Sequence, residues 1–124
     1  GIVAHTNTLV FTDRIGFIYG HTTTDGKWET PSGSITIGTW YHAAMTYNRG
    51  ATTNDPSVYI NAVLQSAPDN PTPVGTALTG ANKIRIGANL GGGSVFNGTI
   101  DEVRVYNRIL TQAEIQTDQN TPIP

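Results

Sequence analysis

The chain has 124 residues, of which 13% are charged, and a formal net charge of −2. That length is enough to bury one core, while sparse charge and the lack of a basic run argue against an electrostatic binder of nucleic acid or membrane. Cysteine is absent, so no disulfide frames the fold, and no apolar run approaches the roughly 18 residues of a membrane-spanning helix.

Abundant Gly, Thr, Asn and Ser, with short β-branched runs between turn residues, predict an all-β domain. Residues 2–12 read as one or two short strands broken near Thr6-Asn7. Arg14 to Thr23 reads as a longer strand with Ile15, Phe17 and Tyr19 on one face. Asp25-Gly26 is a two-residue hairpin signal that favours positive φ, and Lys27-Trp28-Glu29 is the returning arm. Pro31-Ser32-Gly33 marks a turn, after which Ile35 and Ile37 open the next strand. Trp40 to Tyr47 follows, with Trp40, His42 and Ala44 on one face and Trp40 in the core.

The polar stretch from Asn48 to Ser57 is long for a hairpin loop. Val58 to Gln65 holds another strand and its turn. Ser66 to Gly80 carries Pro68, Pro71 and Pro73, which exclude a central strand and predict an extended surface connection. Lys83 to Ala88 alternates, with Ile84 and Ile86 inward, and Gly91 to Ser94 reads as a glycine-rich loop. Thr99 to Tyr106 is the strongest strand signal. In period two, Ile100, Glu102, Arg104 and Tyr106 lie on one face, and Thr99, Asp101, Val103 and Val105 on the other. Thr111-Gln112-Ala113-Glu114 fits a capping box, with Leu110 and Ile115 as its hydrophobic staple. Only Gln112 to Gln116 reads as helical. The division expected is a domain over 1–116 and a polar, fraying tail over 117–124.

Three of these stretches carry a family resemblance. Phe96 to Ile115, FNGTIDEVRVYNRILTQAEI, resembles the C-terminal signature of laminin-G-like jelly rolls in the concanavalin A-like lectin/glucanase superfamily. Trp40-Tyr-His-Ala-Ala-Met-Thr-Tyr47 is similar to the family's W-x-H-x-A-x-T-Y strand. Val58-Tyr-Ile-Asn-Ala-Val-Leu-Gln65 is similar to its L-Y-V-N-G-x-L-x hairpin, with Ala62 in place of the usual glycine, so a different turn shape is expected. The resemblance implies an antiparallel β-sandwich of jelly-roll type, with one short helical turn near the C-terminus. Family members normally begin with further strands that pair beside the C-terminal part, and none is read here. The expected partner for that open edge is a strand of a longer parent chain or a second copy in a homo-oligomer.

The candidate chemistry is modest. Asp101 shares a face with Val103 and Val105, and a poorly solvated carboxylate needs donors or a cation. Some laminin-G-like domains bind Ca²⁺, so the resemblance makes Asp101 a candidate calcium ligand. The alternative is a structural acid that accepts backbone N–H groups. Calcium takes some six to eight oxygens, and Asp25 and Asp55 would have to contribute from separate loops, together with Asp13, Asn54 or Asn89. Glycoside hydrolysis needs two carboxyl groups about 5–9 Å apart across one sugar. Asp101 and Glu102 are adjacent and so lie on opposite faces, and His5, His21 and His42 are scattered. The expectation is a non-catalytic domain.

Sugar rings stack on exposed aromatic faces while polar groups take their hydroxyls. Trp28, Tyr19, Tyr41 and Tyr59, with Asn89, are therefore the candidate ligand-binding residues. Trp28 can equally pack on a sheet face. Asn97-Gly98-Thr99 matches a glycosylation sequon, but it coincides with the family motif, which accounts for it. The combined expectation is a lectin-like recognition or adhesion domain for a glycan or glycosylated protein. It would be extracellular or on a cell or virion surface, without membrane insertion. The rival is a structural module of a surface, fibre or virion protein that acts through protein contacts.

Overall fold

The computed structural model describes residues 6–10, 13–78 and 95–124 of the chain. The Lys83–Ala88 alternation, Asn89 and the Gly91–Ser94 loop lie outside the described residues. Two three-stranded antiparallel sheets form the body. The first contains β1 (Thr6–Val10), β2 (Ile15–Tyr19) and β3 (Gly26–Glu29), in that order. The second contains β4 (Ala43–Thr46), β5 (Ser57–Ile60) and β6 (Val63–Gln65), also in chain order. One helix, α1 (Gln112–Asn120), follows.

The register explains the layers. Phe17 pairs with Trp28 across β2 and β3, so both rings lie on the face that Ile15 and Tyr19 share. In the second sheet Met45 pairs with Val58, and Ala43 with Ile60. Ile15 packs with Val58 and Ile60, while Phe17, Tyr19 and Trp28 pack with Met45 and Tyr47. These contacts are the interior between the sheets. Its aromatic half is dense: the Trp28 ring lies 5.6 Å from Phe17 and 5.5 Å from Tyr47, centroid to centroid. Such spacing adds to the area each ring buries.

β5 is covered on both sides. Val58 and Ile60 face the first sheet, and Tyr59 faces the other way, onto Ala62 and Ile115 of α1. The molecule is thus sheet, sheet and helix, with β5 in the middle layer. Its Val-Tyr-Ile core suits that place, because a strand buried on both faces carries an unbroken apolar run.

Several elements differ from expectation, each for a local reason. β1 runs unbroken through Thr6-Asn7, paired along its length with β2. Asp25-Gly26 is not a two-residue turn, because β2 ends at Tyr19 and Gly26 already pairs with it. Asp25 instead accepts the His21 N–H at 2.9 Å, closing the loop between the strands. Gly26 is needed for space, since a Cβ there would collide with the Trp28 ring. Ile35 and Ile37 form no strand, and Ile37 is 81% exposed. The β5–β6 turn has both central residues at positive φ, Asn61 at 49° and Ala62 at 59°. Ala62 therefore adopts the conformation that the usual glycine would favour.

Residues 69–78 run along the open edge of β3, with bridges Trp28 to Asp69, Thr24 to Val74 and His21 to Ala77. An edge is where a proline-rich segment can pair without leaving ladder donors missing.

Candidate functional site

The signature segment and α1 meet in an open cleft of about 240 Å³ lined by Tyr106, Arg108, Leu110, Glu114, Thr117 and Asp118. The helix start is as the sequence predicts. The Glu114 N–H donates to the Thr111 hydroxyl at 3.3 Å, and the Thr111 N–H to the Glu114 carboxylate at 2.8 Å. Leu110 joins Ile115 against Tyr59 and Ala62. The helix runs to Asn120, past the single turn expected, so residues 117–120 are helical.

Asp118 accounts for much of the extension. Its carboxylate pairs with Arg104 at 3.0 Å and accepts the Tyr106 hydroxyl at 2.6 Å. Arg104 also donates to the Asp118 carbonyl at 2.8 Å and to the Thr121 carbonyl. A cation on the last carbonyls of a helix is favourable there. The bond to Asp118 raises the Tyr106 phenol above its ordinary pKa. Across the cleft, Arg108 pairs with Glu114 at 2.8 Å. That ion pair, with the bonds from Thr111, holds the Glu114 carboxyl down at about 2. The charged groups lining the cleft are already partnered within the fold.

Arg104 and Tyr106 reach the same acid, as their shared face predicts. The rest of the expected strand does not form among the described residues. Glu102 sits at φ 49°, which breaks the extended run. Asp101 is exposed, and its carboxylate accepts the next N–H, that of Glu102, at 2.8 Å. The expectation of a poorly solvated Asp101 is therefore corrected. Val103, Val105, Ile100 and Ile109 are exposed as well.

The remaining candidate acids hold the scaffold. Asp55 accepts the Trp28 indole N–H at 2.8 Å, and Asp25 closes its loop as above. Asp13 accepts from Ser32, from the Gly33 N–H at 3.2 Å and from Arg14 at 3.0 Å. The Ser32 bond is the first cause of a carboxyl pKa below the usual range. Glu29 pairs with Lys27 at 2.6 Å. Among the described residues no three His, Asp or Glu side chains are grouped to hold a metal ion.

The aromatic candidates are also reassigned. Trp28 is 0% exposed, and Tyr19 and Tyr59 are buried, so none offers a ring face for stacking. The Tyr19 hydroxyl donates to the Leu78 carbonyl at 3.2 Å. Tyr41 is half-buried beside Ile35, and its hydroxyl accepts the Thr36 N–H at 3.1 Å. Trp40, expected in the core, is 66% exposed. It sits on the irregular Ile35–Tyr41 segment, where Gly38 has φ 82°. The signal available in the sequence was Gly38-Thr39 immediately before Trp40, which ends any continuous strand through it. His42 is half-buried, and desolvation lowers its pKa.

A two-sheet antiparallel body with a capped C-terminal helix defines an antiparallel β-sandwich scaffold. The chain belongs to the laminin G branch of the concanavalin A-like lectin/glucanases superfamily, whose family model matches residues 6–116. Comparison with curated proteins gives no match, and neither does comparison with solved structures. Among the described residues no helix is long and apolar enough to cross a membrane.

Proposed function

We propose that this is a non-catalytic, lectin-like recognition domain of an extracellular, cell-surface or virion-surface protein, and that it binds a carbohydrate or a glycosylated partner. The observation that carries this reading is Trp40. Its indole is open to solvent while the neighbouring Thr36 and Thr39 are exposed hydroxyl carriers. An apolar ring beside small polar groups is what a sugar face and its hydroxyls require. The non-catalytic part is supported by the engagement of Glu29 and Glu114 in ion pairs within the fold. Calcium remains part of the proposal only as a ligand-dependent addition at Asp101, an exposed acid of the signature segment.

The test is a broad glycan array with the intact domain and with Trp40→Ala, each with calcium and with a chelator. Binding to one glycan class that Trp40→Ala abolishes is the expected result. Equal binding by both proteins overturns the assignment to Trp40, and a chelation-sensitive signal moves the site to the acids. The second reading is an assembly module. It is favoured by Ile100, Val103, Val105 and Ile109, which are exposed along one segment. A stable oligomer in solution, with no glycan bound, would establish it in place of the first.

A further inference from the structure

We propose that Asn97 is a site of spontaneous deamidation, through attack by the backbone nitrogen of Gly98. The Asn97-Gly98 pair is the one Asn-Gly dipeptide in the chain. Both residues are exposed and lie outside any strand or helix, with a bend at Gly98. The Asn97 side-chain amide makes no hydrogen bond among the described residues. Glycine without a Cβ leaves its nitrogen free to close on the preceding side chain.

The chemistry balances without an outside oxidant or reductant. The Gly98 nitrogen, losing its proton to solvent, bonds to the Asn97 Cγ. The Cγ–Nδ2 bond breaks, and the amide leaves as ammonia after taking up a proton. Water then opens the five-membered succinimide at either carbonyl, giving aspartate or isoaspartate. One neutral side chain becomes a carboxylate a few residues before Asp101-Glu102. In the isoaspartate product the backbone also gains a carbon.

Other sites with similar chemistry are held back by contacts. The Asn54 amide donates to the Asn48 carbonyl at 2.9 Å. The Asn61 amide oxygen accepts the His42 N–H at 2.9 Å. Asn70 precedes Pro71, which has no N–H to lose. The Asp25-Gly26 pair is fixed by the bond to His21 and by the pairing of Gly26 in β3.

The experiment incubates the folded full chain slightly above neutral pH at physiological temperature and follows it by peptide mapping with tandem mass spectrometry. The reference is a synthetic peptide covering Val95 to Glu102. The expected result is a mass gain of about one dalton localised to position 97, at a rate within ~3-fold of the peptide's, because an open segment offers little protection. Gly98→Ala should slow the reaction by about tenfold or more, since a Cβ hinders the attack. That Cβ would meet the Phe96 ring at 2.7 Å, but the ring is a partly exposed, movable neighbour. Asn54 in the same digest is the internal control and should stay intact. Persistence of Asn97 after the peptide has converted overturns the proposal, as does conversion at the same rate in Gly98→Ala.

Discussion

Replacing Ile115 by alanine tests how the third layer is attached. Alpha-helix α1 is nine residues of mostly polar sequence, and Ile115 is its one buried side chain, 1% exposed. A helix this short is marginal in water, so its stability must come from docking. Ile→Ala removes three carbons, about 2.4 kcal/mol at roughly 0.8 kcal/mol per buried carbon. The cavity left against Tyr59 and Ala62 adds to this, for a total of about 2–4 kcal/mol. The contacts that remain include the Gln112 bond to the Ala62 carbonyl at 2.9 Å, the Asp118 bonds to Arg104 and Tyr106, and the Arg108 pair with Glu114. The Gln112 bond and the Arg104 pair are each partly exposed and worth about 1 kcal/mol or less. The expected result is that amide exchange over residues 115–119 loses about 2–4 kcal/mol of protection, while β2 amides lose less, as separate cooperative units would. Ile115→Val should cost about 1 kcal/mol. A loss below about 1 kcal/mol for the alanine variant would refute the view that this one side chain holds the layer.

Trp28→Phe should cost about 2–3 kcal/mol in urea denaturation, from lost ring volume and the bond to Asp55. In Trp40→Phe the remaining tryptophan should resist acrylamide quenching, because it is the fully buried one. Trp40→Ala should change stability by no more than about 0.5 kcal/mol, since an exposed ring contributes little to the fold. Ala62→Gly should be near neutral in the same assay, within about 1 kcal/mol. Relief of roughly 1–2 kcal/mol of left-handed strain is offset by a lost buried methyl and a more flexible unfolded chain. Glu114 has a folded-state pKa of about 2 against an ordinary 4.5. Its contribution is therefore present above about pH 4.5 and lost as pH falls towards 2. Helix ellipticity should decline across that window, and Glu114→Gln should flatten the decline.

The parts of the fold that were legible in the sequence are those where one local rule acts alone. Ile15, Phe17 and Tyr19 alternate on β2, and no competing signal interrupts them. The Thr111–Glu114 cap and its staple are set within six residues, Leu110 to Ile115, and both form. The failures occur where a particular side-chain contact, not the strand or turn pattern, decides. Asp25-Gly26 has hairpin composition, but the Trp28 ring requires the glycine and His21 takes the acid. Of the two tryptophans, Trp28 takes the sheet-face alternative and Trp40 leaves the core expected for it. Trp28 has Asp55, from the long polar loop, to satisfy its N–H inside the core. Trp40 precedes β4 on an irregular segment and is left outside. The signature segment keeps its periodicity only from Arg104 onward, where Asp118 fixes it, because the turn in the backbone at Glu102 cannot be read from composition.

The assignment of the acids narrows what recognition can depend on. Asp13, Asp25, Asp55, Glu29, Glu114 and Asp118 each bond to a loop, an indole, a helix start or a neighbouring cation. A ligand that displaced one of these contacts would do so at a cost comparable to a hydrogen bond to a charged group, about 1.5–3 kcal/mol. Trp40 carries no such penalty, and the exposed Asp101 bonds only to the N–H of the next residue. A variant at Trp40 can report on recognition without confounding it with unfolding, which no variant at Trp28 can do.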